Sequence, residues 1–92
     1  MFIKTASELG YPGYPLALTL KTDYLGENES GWIVTGDIHE DYHKWINEFE
    51  AFHPTYGKVW GDFQEEVYAD SEEAFNHFYK NHPPQEWDYG DI

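Results

Sequence analysis

His39, Glu40 and His43 stand in the pattern His-Glu-x-x-His, with Asp41 and Tyr42 at the two free positions. On a helix, positions i and i+4 share a side, so the two imidazoles could hold a zinc ion while Glu40 acts as general base on a metal-bound water. His53, Glu65 or Glu66 would supply the third ligand. The longer form of this motif, however, requires glycine where the chain has Ile46 and histidine where it has Phe49. Five His and eleven Glu also make a five-residue match a common coincidence, and 92 residues leave little room for a substrate cleft. Cysteine is absent, which excludes thiolate nucleophiles and Cys-ligated zinc or iron–sulfur centres. Ser7, Ser30 and Ser71 lack a nucleophile context, residues 23–31 lack the ligand spacing of a calcium loop, and no Gly-rich phosphate loop occurs. The expectation is a protein that is not an enzyme and carries neither metal nor cofactor, with a zinc hydrolase as the third-ranked reading.

The stronger signal is charge. Eighteen Asp and Glu face five Lys and no Arg, a formal net charge of −13. Such a field disfavours free nucleic acid and anionic membranes and favours basic partners. Solubility alone is served by a net charge of roughly 2 to 8. Residues 37–73 hold eleven of the acids and two of the lysines, so the charge is concentrated there. Aromatic residues make up 20% of the chain, and aromatics among acids give a surface both long-range attraction and anchoring contacts. The candidate partner-binding residues are Asp37, Glu40, Asp41, Glu48, Trp60, Asp62, Glu66, Tyr68 and Asp70. Asp62, Glu66 and Asp70 would share one strand face with Trp60 and Tyr68, each carboxylate roughly 13 Å from the next. The plain alternative is a solvated acidic surface with no target.

These residues need elements to position them. Ile38, Tyr42, Trp45, Ile46, Phe49 and Phe52 recur at helical spacing, so a first helix is expected from an Asp37 cap, with Glu40 as its capping-box partner, to Pro54. Leu16, Leu18 and Leu20 alternate with polar or small residues, and Trp32 to Thr35 is rich in strand formers, which suggests a hairpin over 16–35. Val59, Phe63, Val67 and Ala69 alternate as a third strand, with Glu65 and Gly61 allowing a bulge, a break or an edge position, and with a helix on Trp60, Phe63, Val67 and Tyr68 as the alternative. A second helix opens at Ser71-Glu72-Glu73, capped by Ser71 or by Asp70 with Glu73 as its partner, buries Ala74, Phe75, Phe78 and Tyr79, and ends at Pro83 and Pro84. The expected fold is α+β, a small, mostly antiparallel sheet of three to four strands with two helices packed on one face, in a single domain spanning residues 1–92. No apolar run reaches membrane-spanning length and the start lacks a signal-peptide core, which points to the cytoplasm.

Small size, high acidity, the aromatic run Tyr42, Trp45, Phe49 and Phe52, the acidic 37–73 segment and the Trp87-Asp88-Tyr89 tail give a chain that resembles, in whole-chain character, a phage-encoded anti-CRISPR protein of the type I-F inhibitor class. The resemblance implies binding to the Cas proteins of a crRNA-guided surveillance complex in the host cytoplasm and loss of target DNA binding. It leaves room for a minor crRNA contact by Lys44, Lys58 or Lys80. Other basic targets remain open at this point: a restriction or DNA-repair enzyme, or a toxin nuclease blocked by an immunity-type protein.

Overall fold

A computed structural model describes residues 1–5, 7–9, 17, 20–39, 45–62 and 66–83. Among them six strands form one antiparallel sheet: β1 (Phe2–Thr5), β2 (Gly26–Glu27), β3 (Ile33–His39), β4 (Trp45–His53), β5 (Gly57–Gly61) and β6 (Glu66–Ala69), in the spatial order β1-β6-β5-β4-β3-β2. A single α-helix among the described residues, α1 (Glu72–Asn81), packs against β5 and β6. The α+β class stands, but the sheet is larger and the helices fewer than the expected three to four strands and two helices.

The first expected helix is the main correction. Residues 33–39 and 45–53 are the paired strands β3 and β4. Along β4, Ile46, Phe49 and Ala51 are buried while Glu48, Glu50 and Phe52 face out. The register shifts between the pairs Asp37–Glu48 and Ile38–Ile46, leaving Asn47 as an extra residue on β4. That bulge inserts a step of three, from Ile46 to Phe49, into a period of two, and the mixture imitates helical spacing. Asp37 is consequently a strand residue and not a helix cap. Gly36 serves the same crossing, because a Cβ at this position would run into the Glu48 carbonyl oxygen.

The other sequence elements were resolved to different degrees. The expected single strand over 59–69 is a hairpin, β5 and β6, with Val59 opposite Ala69 and Gly61 opposite Val67. Within the expected 16–35 hairpin, Leu16 and Leu18 lie outside the described residues. Ala17 and Leu20 are both buried and joined by a turn hydrogen bond of 3.2 Å, although a strand would put them on opposite faces. The Leu20 carbonyl then accepts the Ile46 N–H at 3.0 Å, which ties this segment to β4. Strand β3 instead finds its hairpin partner in the two-residue β2.

The second helix forms as expected. Ser71 is extended at the N-cap and its hydroxyl accepts the Ala74 N–H at 3.1 Å, while Glu72 and Glu73 occupy the first turn, where the helix dipole favours negative charge. Ala74, Phe75 and Phe78 recur on one side and are buried. Phe78 stacks on Phe49 with centroids 5.3 Å apart, and Phe75 meets Phe2 at 5.3 Å. The core therefore lies between α1 and one face of the sheet, built from Trp32, Val34, Phe49, Ala51, Val59, Val67 and Ala69 beneath the helix. The opposite face of the sheet has no α1 on it. Among the described residues no helix is long and apolar enough to cross a membrane.

Candidate functional site

Side chains alternate across a strand, and directly paired residues of neighbouring strands share a face. The face carrying Phe2, Ala69, Val59, Ala51 and Val34 is the core face, so the residues between them point away from α1. On that outer face the pairings run Ile3 to Tyr68 to Trp60 to Glu50 to Thr35, one residue from each of five strands. One step along the strands lie Thr5 opposite Glu66 and Glu48 opposite Asp37. Continuing the β4–β5 and β5–β6 registers by one residue puts Asp62 between Glu48 and Glu66. Strand spacing of about 4.8 Å makes this a row of four acids across about 14 Å. One step in the other direction from the Trp60 row, Lys58 opposes Phe52 and Phe52 opposes Ile33.

Six of the nine candidate residues thus come together: Asp37, Glu48, Trp60, Asp62, Glu66 and Tyr68. The expected 13 Å ladder along one strand is corrected to a cross-strand row, because the chain reverses between Gly61 and Glu66. Asp70 departs from the set. Its Oδ2 accepts the Lys58 N–H at 2.9 Å and lies against Gly57, so this carboxylate ties the open end of the β5–β6 hairpin beside the β4–β5 turn. Glu40 and Asp41 lie outside the described residues, as do Lys44, Glu65 and His43. Lys80 sits exposed on α1, away from this face.

The outer face is electrostatically strained and chemically mixed. Like charges directly opposite each other destabilise a sheet, yet Asp37 and Glu48 hold that relation. Beside the row, Trp60 and Tyr68 stack at 5.6 Å with an interplanar angle of 16°, each only half-buried. The Tyr68 hydroxyl donates to Glu66 Oε2 at 2.6 Å. That hydrogen bond pushes the phenol above its ordinary value near 10, helped by burial and by the negative charges of Glu66 and Asp62. Lys58 lies over the Trp60 ring at 5.1 Å and pairs with Glu50 at 3.2 Å, an exposed ion pair of small energetic weight. Phe52 is 57% exposed and Ile33 47%, a cross-strand apolar pair next to Lys58.

Sequence reading missed Glu50, Phe52 and Ile33 as members of this face. Glu48, Glu50 and Phe52 do alternate with Phe49 and Ala51, which was the available strand signal, but the bulge at Asn47 hid it. The zinc reading loses its helical premise, since His39 belongs to strand β3. His53 has both ring nitrogens engaged, Nε2 with the Ser30 carbonyl and Nδ1 with the N–H groups of Thr55 and Tyr56. Among the described residues no three His, Asp or Glu side chains converge where they could hold a metal ion. Compared with known proteins, the chain matches no family model, no curated protein and no solved structure.

Proposed function

We propose that the protein is a non-enzymatic inhibitor that lays the outer face of its sheet on a basic, nucleic-acid-binding target. The first such target is the Cas protein surface of a crRNA-guided type I-F surveillance complex, whose target DNA binding it blocks in the host cytoplasm. The observation that supports this reading is the row Asp37, Glu48, Asp62 and Glu66 lying beside the half-exposed rings of Trp60 and Tyr68. A Lys/Arg track that binds phosphates would be neutralised by the row, and positions that accept stacked bases suit the two rings. Close like charges that cost stability in the free protein are relieved when an opposite charge is supplied from outside.

Purified crRNA-loaded complex, immobilised through the crRNA, provides the test. The protein is expected to be retained, to prevent target-strand hybridisation when in excess, and to leave the crRNA in place. Retention by a toxin nuclease or a restriction enzyme in a parallel assay, with none by the surveillance complex, would transfer the outer face to that class of target. Retention by none of these basic targets would contradict the proposal.

A further inference from the structure

A second assembly of polar groups lies on the other side of the molecule, where the start of β3, the β4–β5 turn and α1 meet around the buried ring of Trp32. His53 and His77 lie against it, and His82 follows behind Phe78, which itself meets the Trp32 ring edge-on. The Trp32 indole Nε1–H donates to His77 Nδ1 at 2.9 Å, and the Tyr56 ring stacks on His77 at 4.2 Å. His53 Nδ1 accepts the N–H groups of Thr55 at 3.0 Å and Tyr56 at 3.3 Å, while its Nε2 lies 3.1 Å from the Ser30 carbonyl. His82, only 2% exposed, has Nδ1 2.9 Å from the Phe78 carbonyl and Nε2 2.5 Å from the Asn28 amide nitrogen.

Donor chemistry fixes the protonation of all three rings. Indole and backbone N–H groups only donate, and a carbonyl only accepts. His77 and His53 must therefore leave Nδ1 bare, with the His53 Nε2–H directed at Ser30. His82 must carry its proton on Nδ1. The Asn28 Oδ1 is occupied by the Ser30 N–H at 3.0 Å and by the Ser30 hydroxyl, so its NH2 is what faces His82 Nε2. Each ring thus serves as a hydrogen-bond acceptor through one nitrogen, and an imidazolium has no acceptor nitrogen.

We propose that His53, His77 and His82 form an acid-sensitive latch: neutral, they clamp the Asn28–Gly31 turn, the β4–β5 turn and α1 around Trp32, and on taking up protons they let this junction open. Protonation would set N–H against N–H at Trp32, at Thr55 and Tyr56, and at Asn28, and would place cationic rings 5.4 Å apart at His53 and His77. The groups facing the cluster are Tyr24, Asp23 and Glu29 beside His82, Glu72, Glu73 and Lys80 beside His77, and Tyr56 between His53 and His77. An imidazolium at any of the three rings forfeits the acceptor bond that the ring now makes. At His82 burial prevails: it holds the ring below its ordinary 6.5, against the pull of the Phe78 carbonyl and with a small push from His77. The sign follows. A base that resists protonation in the fold gives full stability above 6.5, and that stability is lost as pH falls below 6.5 toward the folded value.

Long-range proton–nitrogen spectra of the 15N-labelled full chain, recorded from pH 7.5 to 5, test the latch directly. At pH 7.5 His53 and His77 should show the Nε2–H tautomer and His82 the Nδ1–H tautomer. On acidification the protection of the Trp32 indole proton and the α1 amides, taken relative to the intrinsic exchange rate at each pH, should fall about tenfold or more, a larger loss than at the Trp60 indole on the far face. A Trp32 indole protection that is unchanged down to pH 5, or that falls only in step with every other amide, overturns the proposal. Gln can donate and accept without titrating, so His77→Gln with His82→Gln should flatten the pH dependence of the melting temperature. An undiminished dependence in that variant would equally overturn it.

Discussion

Tyr68 and Glu66 show how single residues set the character of the outer face. The phenol donates to a carboxylate that would repel its own anion, and Asp62 adds to that repulsion. Because the folded state keeps this proton longer than the unfolded chain, the contribution is complete below pH 10 and is lost as pH climbs through the folded value. Ultraviolet titration of the tyrosines should therefore include a late phenol from Tyr68, and Glu66→Gln should move it back toward 10. A Tyr68 signal identical in the two proteins would mean that the hydrogen bond does not form in solution. At the neighbouring position, Glu48→Gln removes a charge set directly opposite Asp37. It should raise stability by roughly 0.2–1 kcal/mol in chemical denaturation, the reverse of what most substitutions do. Gly36→Ala belongs to the opposite class, because the new methyl group meets the Glu48 carbonyl at the β3–β4 crossing. A loss of about 1–3 kcal/mol is expected, by the ordinary cost of overpacking.

At the level of elements, the same strand pair explains both what could be read from the sequence and what could not. Helix α1 was legible because its cap, its first-turn acids and its buried side all obey local rules. Ser71→Ala should cost about 1 kcal/mol through the lost bond to the Ala74 N–H, and Phe78→Ala roughly 3–5 kcal/mol by opening a cavity against Phe49 and Trp32. Urea denaturation of each variant measures both losses. Strand β4 was illegible for a reason that is equally local: the extra residue at Asn47 breaks the alternation, and nothing in the pattern separates a bulged strand from a short helix. The candidate face nevertheless kept its core of members. The β5–β6 hairpin pairs even-numbered residues with even-numbered residues, so Trp60, Asp62, Glu66 and Tyr68 stay on one side whether the run is one strand or two. What sequence could not supply was the neighbour relation between strands, which turned a sparse line of acids into a dense row and brought in Glu50, Phe52 and Ile33.

For the whole molecule, the arrangement is a twofold division of labour across one sheet. The helix and the aromatic core occupy one face, while the other holds the acids of β3 to β6 together with Trp60, Tyr68 and the exposed Phe52 and Ile33. With a net charge of −13 the chain is self-repelling, and the outer row concentrates part of that repulsion where a cationic surface would relieve it. The claim that this face is the binding surface is tested most directly by titrating the crRNA-loaded surveillance complex with the native chain and with the triple variant Asp37→Asn, Glu48→Gln, Glu66→Gln. The variant should be folded and more heat-stable than the native protein, yet bind at least roughly tenfold more weakly, with a shallower dependence on salt. Equal affinity and equal salt dependence for the two proteins would contradict the account.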